Sequence, residues 1–571
     1  MDASDRQVTR FAQSAWVAAL LFFGLTIVVT WPLAPGLGHD VPSDYGDPLY
    51  VAWALAWVIR QMGRALTGHL DAVTHFFDAN QLYPEPGTLA LSDHFVGQAL
   101  PLAPVYWLTG NAVLTLGLAY IVAFTLCGFS MWLLVRELTG SSSAGVLAGT
   151  VFAFNEFFLI FELAHLQVLA AHWMPLALYG FRRYFAHSSR AGLALAVLSV
   201  IMLNLSAGYY LLMFPPFAGL YVCWELTARG RWRDRATWRD LAIAAAAIAV
   251  FTAPFLWPYV EAQRRMGFKR TLGDTVAMAA TVDGYIDAGH RLFAAYACAL
   301  LAVIAAVIGK VRRTTTPLPL VAFLTLALAA AFWLSLGPTP RWGGDTYPGL
   351  GIYRILQQYV PGMDAVRVSS RFAVVFLVFL SALAGSGAAL IARLPRVGAP
   401  IVLALAVATI WATAPRPFPL NRQSPSEVNA PAAYLTPGPV APPVYRYLAS
   451  LPDTTVIVEL PFIDLWYNTR YLYFSTFHWR RTVNGFTSFY PASYAERVPW
   501  LVNPVRTPDE AWRALATSGI THIVVHTGAW DAEYARQVDE WLTSRGARSH
   551  GAFDGAVVYE LASRTGAALG D

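Results

Sequence analysis

Charge is the first thing this chain lacks: of 571 residues, 13% are Asp, Glu, Lys or Arg, while 56% are hydrophobic. An average soluble domain carries roughly 25% charged residues, so the composition excludes an ordinary soluble protein and points to a polytopic membrane protein. Cysteine is equally scarce. Cys127, Cys223 and Cys298 all fall inside apolar runs, which excludes a disulfide framework or a zinc site built from the polar segments. Neither a P-loop nor a GxGxxG pattern occurs, so nucleotide hydrolysis is not expected. There is no internal repeat, and the N-terminal apolar stretch ending near Leu33 lacks a small-residue cleavage site, which predicts a retained first helix. The formal charge of +5 resides in Arg clusters within short loops between apolar runs. Orientation in a membrane accounts for that excess, and no nucleic-acid partner is expected.

What the chain has instead is about eleven apolar stretches, near 12–35, 112–135, 144–160, 166–181, 191–206, 207–227, 241–260, 291–309, 317–337, 372–392 and 398–415. With a cytoplasmic N-terminus, the loops holding Arg136, then Arg182, Arg183 and Arg190, then RGRWRDRATWRD, KVRR and ARLPR all fall inside, as the positive-inside rule requires. The same alternation puts the loop 36–111, the segments 261–290 and 338–371, and everything after about 416 outside. Residues 94–110 are apolar but short, with two prolines, and are expected at the outer interface. The stretch 51–66, carrying Arg60 and Arg64, is expected to be an amphipathic helix on the membrane surface. A Pro-rich linker, 416–442, then separates the transmembrane domain, 1–415, from a domain at 443–571. There TTVIVELP, PDEAWRALATSG, THIVVH, DAEYARQVDEWLTSRG and AVVYEL alternate strand and helix patterns. The expected fold is an α-helical polytopic membrane protein of about 11 transmembrane helices with a small extracytoplasmic α/β domain, residing in a cytoplasmic (inner) membrane.

Chemistry-bearing residues concentrate in the first outer loop. VPSDYGDPLY places Asp44 and Asp47 just after the first span. Asp47 before Pro48 is the arrangement of a helix N-cap with proline at the first helical position, and Asp44 suits a turn. A cap leaves one carboxylate oxygen available, so capping and catalysis are compatible. The same loop adds Glu85, Asp93 and His94, and some seventy residues is too long for a mere connector.

A first span, an outer loop opening with acids and a surface helix, then YPEP, an apolar helix ending in TG, and a span ending VRELTGSSSAGVLAG resembles the GT-C superfamily of polytopic glycosyltransferases. That superfamily includes the protein mannosyltransferases and the bacterial aminoarabinose and oligosaccharide transferases. The resemblance covers roughly the first 230 residues. It implies a catalytic carboxylate at Asp47, with Asp44 as second candidate, and a polyprenyl-phosphate sugar as donor. The spacing here is D-x-x-D where many members have adjacent acids, D-x-D or E-x-D, which leaves a divalent metal open.

Transfer from a lipid phosphate needs a base near the acceptor hydroxyl and cations on the leaving phosphate. Arg367 and Arg371 lie four apart, on one face if the span's helix begins there. RRMGFKR, with Lys269 and Arg270, is a basic cluster in a segment placed outside. His165 lies at an outer span boundary, and its Glu-x-x-His spacing with Glu162 has no second copy to complete a di-metal site. The expected activity is thus an inverting, lipid-phosphate-dependent glycosyl transfer to an extracytoplasmic glycan, lipid or protein acceptor. Asp47 and Asp44 are its catalytic residues, and Glu85, Asp93, His94, His165, Lys269, Arg270, Arg367 and Arg371 its substrate contacts. The alternative is a transporter or flippase for an ionic or lipid-linked substrate. Transporters place ionisable groups near the midplane, and these spans carry few.

Overall fold

The computed structural model describes residues 3–308, 318–423, 437–462 and 465–561. The KVRR loop, 310–313, and most of the Pro-rich linker, 424–436, lie outside the described residues. Two compact units form: 1–34, 119–257 and 267–418 make the first, and 35–118, 258–266 and 419–571 make the second.

Among the described residues, five helices are long and apolar enough to cross a membrane: Ala112–Thr139, Ser142–Phe161, Tyr210–Ala228, Arg235–Met266 and Ser369–Ile391. A sixth results if Leu272–Arg291 and Phe293–Ile308, bent by 95°, count as one span. Four shorter apolar helices accompany them, Ser14–Val29, Arg190–Asn204, Leu320–Ser335 and Gly398–Thr413. Where the sequence pattern reads two spans over 144–181, the chain forms a helix, a π-turn at Phe157–Phe161, a 3₁₀ segment at Leu166–His172 and the helix Trp173–His187. Irregular backbone at membrane depth persists only where protein encloses it, and every residue of Leu166–His172 is buried.

Small residues set the packing in the first unit. A Cβ on Gly149 would lie 2.4 Å from the Gly128 carbonyl oxygen, so the helices Ala112–Thr139 and Ser142–Ala153 touch backbone to backbone there. Phe22, fully buried, fills the notch: a Cβ on Gly128 would sit 2.2 Å from its ring.

The second unit joins the first loop to the C-terminal sheet. Its five strands lie in the order Arg481–Thr482, Val456–Leu460, His522–His526, Ala556–Glu560, Arg548–Phe553. The first two pairings are parallel and the last two antiparallel. Loop residues anneal to this sheet: Leu82 N donates to Asn484 O at 3.1 Å, and Tyr83 N to Thr482 O at 2.9 Å. Asn80 extends the seam, accepting from Trp53 Nε1 and donating to Ser475 Oγ and Arg480 O.

The helix Asp47–Leu66 differs from the amphipathic surface helix expected for it. Residues Pro48 to Ile59 are all buried, because it packs between the helices Val96–Thr109 and Leu465–Ser475. Its arginines reach unit partners instead of a membrane surface: Arg60 stacks over the Trp479 ring at 5.0 Å, and Arg64 pairs with Asp71 at 2.5 Å. Val96–Thr109, at 14 residues with Pro101 and Pro104 inside it, is too short to span, and Trp107 Nε1 ties it to Ile59 O.

Asn484 knits these pieces. It is fully buried; Oδ1 accepts from Glu459 N at 2.7 Å, and Nδ2 donates to Glu459 O at 3.0 Å and Asn468 Oδ1 at 3.1 Å. Asn484→Leu keeps the volume and strands the Glu459 amide and carbonyl without partners. A loss of about 2–4 kcal/mol from the second unit is expected, read as a lower midpoint in thermal unfolding and faster proteolysis within 437–561.

Candidate active site

The acid turn is built by backbone constraints on both flanks. On one side, Ser43 N donates to Pro419 O at 2.9 Å, Tyr45 N to Arg422 O at 3.1 Å and Arg422 N to Ser43 O at 3.0 Å. Residues 419–422, which the sequence reading assigns to the linker, are therefore paired as an extended segment. On the other side lies the helix Leu465–Ser475: Thr469 Oγ1 donates to Tyr45 O at 3.0 Å, and a Cβ on Gly46 would meet the Trp466 ring at 2.9 Å. Arg470, 1% exposed, places its guanidinium 5.1 Å from the centre of the Tyr45 ring.

Within that clamp the two acids divide their roles, and differently from the expectation that Asp47 caps the helix. Gly46 is the N-cap, and Asp47 is the first helical residue, where a negative charge gains from the helix dipole. Asp44 makes the turn: its carboxylate accepts from Gly46 N at 2.9 Å and from Ser43 Oγ at 2.8 Å. Both acids are half-buried.

Of the other loop acids, Asp93 shares a tyrosine with Asp47. Burial pushes the Tyr50 hydroxyl upward, and the charges of Asp93 and Asp47 raise it further. Tyr490 is pushed up to about 12 by burial, with Asp47 adding to the shift. Asp47 and Asp93, from segments 46 residues apart, thus both act on the hydroxyl of Tyr50. His94 is enclosed: 3% exposed, its Nδ1 accepts from Val96 N, and burial lowers it to about 4, so it is neutral at pH 7. Glu85 accepts from Ser493 Oγ at 2.5 Å, on the sheet side of the unit.

In the first unit, the predicted cations form two groups. Lys269 lies 3.8 Å from Asp364, and Arg270 N donates to Asp364 O at 3.0 Å. The Arg270 guanidinium is lowered by burial and then by the charge of Arg367, so these two arginines, 97 positions apart, are neighbours. Arg367 and Arg371 do not share a helix face, because a 3₁₀ turn at Ser369–Arg371 intervenes and the regular helix starts at Phe372. Arg371, 9% exposed, turns to Glu162, with Nη2 to Oε2 at 3.2 Å and Nε to Oε2 at 3.3 Å. His165 Nδ1 stands 3.0 Å from the same oxygen, and the Tyr209 ring lies 4.8 Å from the guanidinium. Burial would raise the Glu162 carboxyl, but Arg371 and His165 hold it down to about 2. The Glu-x-x-His pair therefore serves a buried ion network. Among the described residues no three His, Cys, Asp or Glu side chains are grouped to hold a metal ion.

Sequence reasoning missed Tyr50, Trp466, Thr469, Arg470 and Tyr490 as neighbours of the acid turn. The available signal was Arg470 itself, a single charge within the aromatic run LWYNTRYLYFS.

No family model matches the sequence, and no curated protein matches it. Solved structures do. The arabinofuranosyltransferase AftD from mycobacteria aligns at TM-score 0.58 and 13% identity over 96% of this chain and 40% of that one. This chain therefore spans about two fifths of the length of AftD. The oligosaccharyltransferase AglB from Archaeoglobus fulgidus, in complex with an inhibitory peptide and a dolichol-phosphate, aligns at 0.49 and 13% identity, covering 98% and 75% of the two chains. ArnT from Cupriavidus metallidurans, bound to undecaprenyl phosphate, aligns at 0.39 and 14%, covering 96% and 98%. The likeness to AftD carries the fold assignment: the chain has a GT-C fold, as the order of features in its first 230 residues implies.

The Glu162 network gives a pH signature. A carboxyl whose pKa falls on folding, here from 4.5 to about 2, stabilises fully above pH 4.5 and loses that contribution as pH falls toward 2. Glu162→Ala should cost about 3–5 kcal/mol by stranding the buried Arg371 charge, and the double variant with Arg371→Met should recover most of it. Glu162→Gln should lack the acid-side step in the melting temperature; a step unchanged from the parent protein would place its origin elsewhere.

Proposed function

We propose that the chain is an integral-membrane glycosyltransferase that moves a sugar from a polyprenyl-phosphate carrier to an extracytoplasmic glycan, lipid or protein at a cytoplasmic membrane with about eleven spans. The observation that carries this reading is the acid turn. Asp47 is held at the start of a buried helix, Asp44 is spent on the turn that presents it, and Asp93 acts on the same tyrosine hydroxyl. A structural turn would not need this much buried support on both flanks.

In this reading Asp47 takes the proton of the acceptor hydroxyl as its oxygen attacks the anomeric carbon. The bond from that carbon to the phosphate oxygen breaks, the electron pair leaves with the lipid phosphate, and the configuration inverts. Negative charge from Asp47 and Asp93 favours the oxocarbenium character of the transition state. Lys269, Arg270 and Arg367 are the phosphate contacts, a reading supported by the closeness of the Arg270 and Arg367 charges and by Lys269 beside them on Asp364. Arg371 and His165 act through Glu162. Asp44 is a positioning residue.

Asp47→Asn keeps the size of the side chain and removes the base; a fall of roughly 10²–10⁴-fold in kcat with little change in donor KM is expected. Asp44→Asn retains an oxygen for the Gly46 amide and should keep most activity, whereas Asp44→Ala should lose it. Arg367→Ala should raise donor KM. Initial rates with a polyprenyl-phosphate sugar separate these outcomes, and an Asp47→Asn variant as fast as the parent would remove Asp47 from the chemistry.

A further inference from the structure

The first unit holds a cavity that the transfer reaction does not use. About 350 Å³ in volume, it is lined by Ser14, Val17, Ala18 and Leu21 on the first helix, Trp132 on Ala112–Thr139, and Ser142 and Val146 on Ser142–Ala153. The spacing 14, 17, 18, 21 is one helical face, and 142 and 146 are one turn apart on another. These are the helices clamped together at Phe22, Gly128 and Gly149, and the cavity opens one turn beyond that notch. It is not closed off from the surroundings, because Val17 is 66% and Leu21 39% exposed.

Its chemistry is divided. Val17, Ala18, Leu21 and Val146 supply apolar walls. Against them stand two buried polar groups without a hydrogen-bond partner among the described residues, the Ser14 hydroxyl and the indole N–H of Trp132. Trp132 is fully buried, so its unmet donor carries a desolvation cost that a ligand oxygen would remove. A cation completes the set: the Arg136 guanidinium lies 4.9 Å from the Trp132 ring centre. An apolar slot open to the membrane, two unmet polar groups and an adjacent arginine match an acyl chain joined to an oxygen-rich anionic headgroup.

We propose that this cavity binds one anionic phospholipid, with an acyl chain along Val17, Ala18, Leu21 and Val146, headgroup oxygens on Ser14 and Trp132, and the negative charge facing Arg136. None of its lining residues belongs to the Lys269, Arg270 and Arg367 group. It makes the packing of the first three helices of this unit dependent on membrane lipid.

The test uses the full chain in vesicles of phosphatidylcholine carrying either photoactivatable phosphatidylglycerol or photoactivatable phosphatidylcholine. Crosslinked peptides are mapped, and retained lipid is weighed by native mass spectrometry. Phosphatidylglycerol should label residues 14–21 and 142–146 in preference to phosphatidylcholine. Val146→Trp, which fills the cavity, should cut that labelling about tenfold, equivalent to about 1.4 kcal/mol. Ala18→Trp, filling it from the opposite wall, should do the same, which guards against a folding defect in either variant. Arg136→Gln should abolish the preference for phosphatidylglycerol while leaving phosphatidylcholine labelling in place. Labelling unchanged in both tryptophan variants would overturn the site, and a preference retained in Arg136→Gln would overturn the headgroup assignment.

Discussion

The second unit depends on the side chain of Asn484. A buried amide that satisfies both the N–H and the C=O of Glu459 holds the end of the strand Val456–Leu460, while its own backbone carbonyl receives Leu82 from the first loop. One residue thereby fixes three segments: the strand Val456–Leu460, the helix Leu465–Ser475 through Asn468, and the loop that follows the acid turn. Side-chain amides are costly to bury unless every donor and acceptor is met. Here the Glu459 backbone and the Asn468 side chain meet them, and the two backbone bonds make the contact specific for this register. The C-terminal domain is for this reason part of the support of Asp44 and Asp47, and more than an accessory joined by a linker.

Several charged groups are set against specific partners. Asp44 is taken up by a turn, and Glu162 by Arg371 and His165. Arg270 and Arg367 are set beside each other, a like-charge arrangement that favours an anion close by. Asp47 sits at the dipole-positive end of a buried helix, the place our reading gives to the base.

The local patterns were legible in the sequence. VIVEL, HIVVH and AVVYE form strands and PDEAWRALA and AEYARQVDEWLTS form helices, because β-branched runs and 3.6-residue periodicity act over a few residues. The concentration of acids in the first loop was legible too. What could not be read is pairing between distant segments, such as 41–45 with 419–422, or 82–83 with 482–484. These segments are about 400 positions apart, and no periodicity links them. The Asp47–Leu66 helix misled for the same reason. Its two arginines suggest a polar face, but partners that cover both sides of a helix leave no trace in its own sequence. The N-cap assignment moved by one residue because Asp44, not Asp47, bonds the Gly46 amide, which any Asp in this turn could have done.

The central claim is that this GT-C fold breaks and makes glycosidic bonds. The direct measurement is the fate of a polyprenyl-phosphate sugar incubated with the purified full-length protein in detergent, where no second compartment exists. The account predicts release of the free lipid phosphate in step with glycosylated acceptor, and loss of both when Asp47 is replaced by Asn. Intact lipid-linked sugar in detergent, together with its movement across the bilayer of sealed vesicles, would contradict the account and assign the protein to transport.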